Sequence, residues 1–358
     1  MALFSRDDPM SKRTTISDVA EKAGVSTGTV SAVLNERPTV RDETRERVLR
    51  AIDDLGYQPS ASARRLGSRG GDDPSPPGVG IVIKEIDNPF YAEVVKGASA
   101  ELISWGYVPF ICTSEGDFQR EGLAIESLRG RDLSGVIVAP VLDDGADLSH
   151  LFLLRRSGFP FVLLETVPGL PTNVVSVDNV AASQQAVSYL IEQGHERIVH
   201  FAGPEYTRHS GDRQLGFEKA FSQSSLRFSE DSVVPCGSRF EDGFETALEF
   251  FRDASTDRPS AVFCFNDLVA LGVLRALSDL GIRVPEDVSV VGFDDVPMAS
   301  QTLRPLTTVR VPQREMGAQA ARIILDQVDG PQPDPVTVVL EAPLEIRATT
   351  APPPDWTP

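Results

Sequence analysis

Polar side chains that could bind a small ligand follow several apolar runs in the second half of the chain. Arg213 comes after the apolar run at 197–202, and Asn266 and Asp294 each come directly after a phenylalanine that ends such a run. Guanidinium, amide and carboxylate groups are planar and can bond neighbouring pairs of hydroxyl groups. These residue types therefore predict a binding site for a sugar or a similar hydroxyl-rich molecule.

Catalytic motifs are scarce. The sequence contains no phosphate-binding loop of the form GxxxxGK(S/T), no GxGxxG after an apolar run and no HExxH. Asp294 and Asp295 are adjacent carboxylates, but consecutive residues rarely face one site. The four histidines and three cysteines show no metal spacing. We therefore expect a binding protein, with no metal or cofactor, rather than an enzyme.

The elements that would position these residues can be predicted from Val79 onward, where short apolar runs alternate with longer amphipathic stretches. We predict strands near 79–83, 107–112, 135–139, 160–164, 174–177, 197–202, 232–236, 261–265 and 288–293. We predict helices at 90–105, 118–129, 178–193, 211–223, 241–253 and 266–280. This alternation indicates parallel sheets covered by helices on both faces.

The length of this region favours two doubly wound parallel-sheet subdomains rather than one. A later helix at 312–329 and a strand near 336–340 indicate that the chain crosses again between them. Ligands bind beyond the carboxyl ends of the strands in such sheets. Phe90 and Tyr91, which follow the first strand, are thereby placed beside the polar residues named above.

The charge of the chain is divided unevenly. Residues 12–69 hold eleven Lys or Arg and eight Asp or Glu, whereas residues 70–358 carry a net charge of −20. Contact with nucleic acid is therefore expected from the first segment alone. No apolar run approaches the ~20 residues that span a bilayer, and residues 1–8 lack the apolar core of a signal peptide. We therefore expect a cytoplasmic protein.

Residues 15–35, TISDVAEKAGVSTGTVSAVLN, predict two short helices. Thr15 and Asp18 have capping-box spacing before the first helix, and Gly24 would end it in a left-handed turn. Ser26 is an N-cap for a second helix from Thr27 to about Leu34. A third helix at about 42–55 would close the core with four residues on one face, Val48, Leu49, Ile52 and Leu55. The outward face of the second helix is small and polar, as a helix in a DNA major groove requires, and it comprises Thr27, Gly28, Thr29, Ser31 and Ala32.

This string resembles the helix-turn-helix of the lactose-repressor (LacI/GalR) family, without gaps through Tyr57. The following YQPSASARRL, residues 57–66, resembles the hinge of that family. In the family, the hinge becomes helical on the operator and inserts a leucine into a minor-groove step, and Leu66 holds that position here. Two residues depart from the pattern: Ala32 stands where Arg or His is frequent, and Arg41 where a serine caps the third helix. The resemblance implies contacts with DNA from Thr15, Thr27, Gly28, Thr29, Ser31, Ala32, Asn35, Tyr57, Ser60, Ala63, Arg64 and Leu66.

The rest of the chain is similar to the periplasmic-binding-protein-like core of the same family. The similar segments occur in order, from DNPFYAEVVKGA at Asp87 through DRQLGF at Asp212 to RVPEDVSVVGFDDVP at Arg283. The resemblance implies an effector site formed by Phe90, Tyr91, Arg213, Phe240, Asn266 and Asp294. Some of these residues also have a structural interpretation.

The main alternatives concern individual site residues. Arg213 and Asp294 could form a structural salt bridge, and either Phe90 or Tyr91 could belong to the core. Asp178 is better explained as a helix N-cap than as a ligand contact. His195 is interpreted as structural, whereas His209 lies in a candidate cleft loop and is left unassigned.

We expect three parts: a helix-turn-helix domain at 12–58, a hinge helix and linker at 59–78, and an effector-binding and dimerisation core at 79–350. The expected function is a homodimeric transcriptional repressor that binds a pseudo-palindromic operator under allosteric control by a sugar-like effector. A transport-associated sugar-binding protein would need a signal peptide and no DNA-binding head. A nucleoid protein would not need an acidic core of this size.

Overall fold

The computed structural model describes residues 16–34, 41–55, 76–131, 133–143, 145–205, 207–253, 258–329 and 334–353. The chain divides into two compact units, with the main boundary between Pro76 and Pro77. Among the described residues, no helix is both long enough and apolar enough to cross a membrane.

The N-terminal unit consists of three helices, α1 (Ile16–Ala23), α2 (Thr27–Leu34) and α3 (Asp42–Leu55). Gly24 ends α1 with φ of 64°, a left-handed conformation that favours glycine. The Ser26 hydroxyl accepts a hydrogen bond from the N–H of Thr29 at 3.2 Å and so caps α2. Both helix boundaries agree with the prediction. The core of this unit is formed by Val19, Ala20, Ala23, Val30, Val33, Val48 and Ala51.

The prediction that Leu49 of α3 belongs to the core is wrong. Leu49 is 48% exposed, whereas Val48 and Ala51 are buried. Residues three apart share a helix face, while Leu49 is turned about 100° from Val48 around the axis. The small Ala51 therefore takes the inward place that the sequence analysis gave to Leu49.

The C-terminal unit contains two six-stranded sheets. The first has the order β11-β5-β4-β3-β1-β2 and is parallel throughout. Its strands are β1 (Gly78–Ile83), β2 (Val108–Thr113), β3 (Gly135–Val138), β4 (Phe161–Leu163), β5 (Asn173–Val177) and β11 (Thr337–Leu340). The second has the order β12-β10-β9-β8-β6-β7, in which only β12 is antiparallel. Its strands are β6 (Ile198–Ala202), β7 (Val233–Pro235), β8 (Ala261–Cys264), β9 (Ser289–Asp294), β10 (Thr307–Arg310) and β12 (Leu344–Glu345).

Helices cover both faces of each sheet. In β1, Ile81 packs with Val94 of the next helix, whereas its neighbour Val82 packs on the opposite face with Ile125. The doubly wound architecture is thereby confirmed. The helices are α4 (Pro89–Ser104), α5 (Phe118–Arg129), α6 (Ser149–Ser157), α7 (Asn179–Glu192), α8 (Arg208–Ser222), α9 (Phe240–Asp253), α10 (Asp267–Asp279) and α11 (Gln313–Asp329). The nine-residue α6 and the strands β10 and β12 were not predicted.

The chain crosses between the two sheets three times. The crossings lie between β5 and α7, between β10 and α11, and between β11 and β12. The second crossing returns α11 to the first sheet, where it packs closely against α4. A Cβ atom at Gly97 would clash with the carbonyl oxygen of Arg314, and one at Gly317 with that of Val94. Glycine at these two positions therefore permits the close helix contact that fixes the return.

Candidate functional site

A cleft lies between the carboxyl ends of the two sets of strands. It holds an inner cavity of about 250 Å³ and an outer one of about 640 Å³. The first sheet and its helix α4 contribute to one wall, and α8 of the second subdomain contributes to the other. The two cavities are continuous in that they share five lining residues, Lys84, Phe90, Tyr91, His209 and Arg213.

Arg213 is held in place by three hydrogen bonds. From α8, its Nε donates to Asn179 Oδ1 at 3.1 Å, Nη1 to the carbonyl oxygen of Phe265 at 2.5 Å, and Nη2 to Asp294 Oδ1 at 3.3 Å. Its Cζ lies 3.7 Å from the ring centroid of Phe293, in a cation–π contact. The guanidinium is thus oriented within the cleft. The salt bridge with Asp294, which the sequence analysis held open as an alternative to effector contact, is present.

Asp294 combines burial with an unusual backbone conformation. It ends β9 with φ of 116°, a value that is rare for a residue with a side chain and indicates a strained position. The side-chain amide of Gln313 donates to its carbonyl oxygen, which ties the end of β9 to the start of α11. Burial raises the pKa of Asp294 to about 6, although Arg213 acts in the opposite direction. A carboxyl group with a pKa this close to neutrality can change its protonation state when a ligand binds beside it.

Asn266 and Asp178 both cap helices. Asn266 Oδ1 accepts from the N–H of Val269 at 2.9 Å, and its Nδ2 donates to the carbonyl oxygen of Ser238 at 2.9 Å. Asn266 lines the outer cavity, but both ends of its amide are already bonded within the protein. Asp178 Oδ1 accepts from the N–H of Ala181 at 2.9 Å, as the N-cap interpretation predicted.

Of the three aromatic residues predicted for the effector site, two line the cleft and the third does not. Phe90 and Tyr91 meet edge to face at 5.2 Å, and both line both cavities. Phe240 is 38% exposed and does not line either cavity of the described cleft. As the first residue of α9, it lies one helical turn from Phe244 and stacks on its ring at 6.5 Å. The preceding residues of the loop, including Ser238, line the outer cavity in its place.

The sequence analysis missed Glu165 and Lys84 and left His209 unassigned. Glu165 is 7% exposed, and neither of its carboxylate oxygens accepts a hydrogen bond from the described residues. Its Oε2 lies 3.2 Å from His209 Nδ1 and 4.0 Å from Lys84 Nζ. Burial raises the pKa of Glu165 to about 7. Lys84 directly follows β1 and Glu165 comes two residues after β4, so the strand-end rule that selected Arg213 and Asp294 would also have selected these two residues.

In the N-terminal unit, α2 presents the predicted polar face. Thr27 and Gly28 are exposed, and Thr29 and Ala32 are half-buried. The Thr29 hydroxyl lies 2.9 Å from the Ser26 hydroxyl, so it takes part in the helix cap. Ser31 lies on α2, but its side chain is outside the described part. The remaining predicted DNA contacts also lie outside the described residues, namely Thr15, Asn35, Tyr57, Ser60, Ala63, Arg64 and Leu66.

Comparison with known proteins identifies the type of domain that each of the two units contains. Residues 15–60 match the family described as bacterial regulatory proteins, lacI family, and residues 187–350 match a periplasmic binding protein-like domain. The transcriptional repressor PurR of Photobacterium profundum is 33% identical over 315 residues, which cover 88% of this chain and 92% of that protein. The chain belongs to the LacI family. The fold and the family membership that were predicted from the sequence are thereby confirmed.

Other members of the LacI family share the whole architecture. The regulator DegA of Bacillus subtilis is 30% identical over 341 residues, covering 95% of this chain and 99% of that protein. A solved complex of the regulator CelR with cellobiose has a TM-score of 0.67 and 33% identity, covering 94% of this chain and 100% of that one. The lac repressor dimer bound to operator and an anti-inducer has a TM-score of 0.70 and 25% identity, covering 95% of this chain and 100% of that one.

Proposed function

We propose that this LacI-family protein is a homodimeric transcriptional repressor whose affinity for a pseudo-palindromic operator is controlled by a small sugar-like effector. The observation that carries the proposal is the joining of a lacI-type helix-turn-helix to a core with a lined, partly enclosed cleft. Binding to operator DNA would place the protein in the cytoplasm. The family consists of regulators, which agrees with the scarcity of catalytic motifs.

The DNA-binding part of the proposal rests on the exposed face of α2. From the family resemblance, we infer that Thr27, Thr29 and Ser31 contact base edges or phosphates through their hydroxyl groups. Ala32 could contact a thymine methyl group, but it is too short for a bidentate bond to guanine. We therefore infer that the hinge, with Leu66 in the minor groove, supplies a large share of the specificity.

The effector part of the proposal rests on Arg213 and its surroundings. An oriented guanidinium beside the carboxylate of Asp294 provides donors and an acceptor to neighbouring hydroxyl groups. The rings of Phe90 and Tyr91 provide apolar surface for the C–H groups of a sugar. CelR, which resembles this chain over nearly its full length, has been solved with cellobiose.

The two parts would be connected by linkage. Effector binding between the subdomains would change their separation, and thereby the spacing of the hinges in a dimer. A coupling free energy of about 1–3 kcal/mol, typical of allosteric proteins, would change operator affinity by roughly 5- to 150-fold. By reciprocity, operator DNA would change effector affinity by the same factor.

Fluorescence anisotropy with DNA from upstream of the protein's own gene tests the proposal. At fixed salt, we expect nanomolar, sequence-specific binding that one compound of a sugar and nucleobase panel changes. Arg213→Gln should abolish the response to that compound. Arg283→Gln, which removes an ion pair with Asp287 between two residues that line neither cavity, should retain it. Weak binding of all DNA sequences, or an unchanged response in Arg213→Gln, would contradict the proposal.

A further inference from the structure

Two consecutive residues at the end of β9, Asp294 and Asp295, have positive φ values. These are 116° and 57°, in the region that favours glycine. Residues with side chains adopt such conformations at an energetic cost, and they keep them only where surrounding contacts hold the backbone. The carboxylate of Asp294 reaches Arg213 from this backbone. The contacts that hold the two residues therefore also determine where that carboxylate lies.

Asp267, the first residue of α10, makes one of these contacts. Its side chain is fully buried, and its Oδ2 accepts a hydrogen bond at 2.8 Å from the N–H of Val296, which directly follows the two strained residues. Its Oδ1 accepts from the hydroxyl of Thr308 at 2.5 Å. Asp267 thereby joins the start of α10 to the strained turn and to β10. It lines neither cavity of the described cleft, so any effect on a ligand must pass through a neighbouring residue.

The turn is held at other atoms as well. The N–H of Val311 donates to the carbonyl oxygen of Asp294 at 3.3 Å, and the side-chain amide of Gln313 donates to the same oxygen. The carboxylate of Asp295 lies 2.7 Å from Arg347 Nη1. These bonds hold a carbonyl group and a side chain of the turn, whereas Asp267 holds the N–H at its end.

The carboxyl group of Asp267 is costly to keep in the core. Burial raises the pKa of Asp267 well above its usual range, and the nearby carboxylate of Asp294 acts in the same direction. Strand β9 also makes room for this group, because a Cβ atom at Gly292 would overlap Oδ1. A buried acceptor that is kept at such a cost, beside a strained turn, indicates that the position of the turn matters for function.

We propose that Asp267 is a positioning residue of the effector site, which holds Asp294 in its strained conformation through the N–H of Val296 and so directs the carboxylate of Asp294 to Arg213 and to the ligand. This inference rests on the proposed function only in taking Asp294 as an effector contact. Without the anchor, the turn would relax towards negative φ, and the carboxylate would move away from the guanidinium. The cleft would then lose an acceptor for a hydroxyl group of the effector.

Four variants separate this role from packing. Asp267→Ala removes the acceptor of the Val296 N–H. Asp267→Asn is the conservative variant, because its amide oxygen still accepts from Val296 and its NH₂ group can donate to the Thr308 hydroxyl. Thr308→Val is the matched control, since it breaks the bond to Oδ1 and leaves the bond to Val296. Gly292→Ala displaces the carboxyl group without removing it, and so tests the same contact if Asp267→Ala does not fold.

Hydrogen exchange of the Val311 amide in the ligand-free full chain, measured by mass spectrometry with fragmentation to single residues, reports on the turn. This N–H donates to the carbonyl oxygen of Asp294 and not to Asp267. Asp267→Ala and Gly292→Ala should raise its exchange rate by about tenfold or more, as for the loss of a buried hydrogen bond. Asp267→Asn and Thr308→Val should remain within about threefold of wild type.

Asp295→Gly tests whether strain is what Asp267 offsets. Glycine adopts positive φ without a steric cost, so the turn then depends less on its anchor. Asp267→Ala should therefore raise the Val311 exchange rate by a factor that is about fivefold smaller in the Asp295→Gly background than in wild type. A purely structural role of Asp267 at the start of α10 would give equal increases in both backgrounds.

Isothermal titration calorimetry of the same proteins, without DNA, measures the effect on ligand binding. The probes are ribose, glucose, galactose and cellobiose. We expect at least one of these sugars to bind wild type, and Asp267→Ala to bind it about tenfold or more weakly. Asp267→Asn and Thr308→Val should retain the affinity within about threefold.

Three outcomes would overturn the inference. They are unchanged Val311 exchange in both Asp267→Ala and Gly292→Ala, equal increases with and without Asp295→Gly, and full sugar affinity of Asp267→Ala. If none of the sugars binds wild type, the sugar-like effector of the proposed function is contradicted, whereas the exchange rates still decide whether Asp267 positions Asp294. Operator binding is measured separately by anisotropy, so failure of the regulator proposal is distinguishable from both.

Discussion

The guanidinium of Arg213 and the carboxylate of Asp294 form an ion pair at 3.3 Å, in which both side chains are at most 10% exposed. Arg213 belongs to α8 and Asp294 ends β9, so the pair joins a helix and a strand of the second subdomain at the wall of the cleft. An ion pair so deeply buried is sensitive to the loss of either partner, because the remaining charge has no water to stabilise it.

We expect Arg213→Ala to lower the free energy of unfolding by about 3–5 kcal/mol, since it leaves a buried carboxyl group without its partner. Asp294→Ala should have a comparable effect for the same reason. The double variant should lose less than the sum of the two single variants, by about 0.5–3 kcal/mol. Urea denaturation of the four proteins gives this coupling energy, and additive losses would show that the two side chains do not interact.

Gly28 on α2 tests the DNA-binding face. A Cβ atom there would meet only the Ser26 hydroxyl, at 3.7 Å, so Gly28→Ala should stabilise the helix by about 0.5–1 kcal/mol. If this face lies in the major groove, the added methyl group should nevertheless weaken operator binding severalfold. Fluorescence anisotropy measures the affinity.

Gly211 in α8 is the matched control for Gly28. It is exposed, and a Cβ atom there would have nothing within 4 Å. Gly211→Ala should gain similar helix stability and leave operator affinity unchanged. Equal operator affinity of both variants and wild type would place the DNA contact elsewhere than Gly28.

Leu66→Ala tests the hinge that the family resemblance predicts. Leu66 lies outside the described residues, so this prediction depends on the resemblance alone. The variant should lose more than tenfold in affinity for the specific operator, while binding to unrelated DNA, which is mainly electrostatic, should change little. Titrations of both DNAs at one salt concentration measure the ratio. An equal loss of affinity for the operator and for unrelated DNA would contradict the proposed role of Leu66 in kinking the operator.

His200 should make the core sensitive to acid. Its ring is stacked between Phe217 and Phe263 at 5.4 and 5.0 Å, and burial lowers its pKa to about 4. The unfolded chain binds this proton near pH 6.5, so its stabilising contribution is complete above that pH and is lost as the pH falls towards 4. Between pH 7 and pH 4.5 the loss should be about 2.5 kcal/mol, at 1.36 kcal/mol per pKa unit.

His200→Leu should reduce that acid destabilisation by the same amount. The substitution also removes the hydrogen bond to the carbonyl oxygen of Phe263, which lowers stability at every pH without changing the slope. Urea denaturation at several pH values compares the two proteins. Parallel stability curves would mean that His200 does not titrate differently in the folded and unfolded states.

The sequence was sufficient to predict the doubly wound fold because buried parallel strands are continuous apolar runs, such as Val79–Ile83 and Ala261–Phe265. It was less informative about α6, whose nine residues are too short to show clear helical periodicity. The sequence analysis also missed β10, the strand before the second crossing, because two of its four residues, TTVR, are threonines and one is an arginine.

Within the site, strand ends predicted Arg213 and Asp294, which lie together in the cleft. Phe240 does not line the described cavities, because the loop before α9 determines which residues reach them, and no periodic pattern in the sequence predicts the path of a loop. Glu165 directly follows the predicted strand at 160–164, but the sequence analysis did not select it as a site residue. Its unbonded oxygens are a property of the assembled cleft, which no spacing in the sequence displays.

The three crossings have a consequence for biosynthesis. Strands β1 to β5 are translated by residue 177, but their sheet is completed only by α11 and β11, about 160 residues later. At roughly 5–20 residues per second, the ribosome needs about 10–30 s to supply them. During that time the apolar face that Ile324 finally covers at Gly135 is exposed to the cell. We expect the nascent chain to depend on chaperones during this interval, and neither subdomain to fold completely before the other has been made.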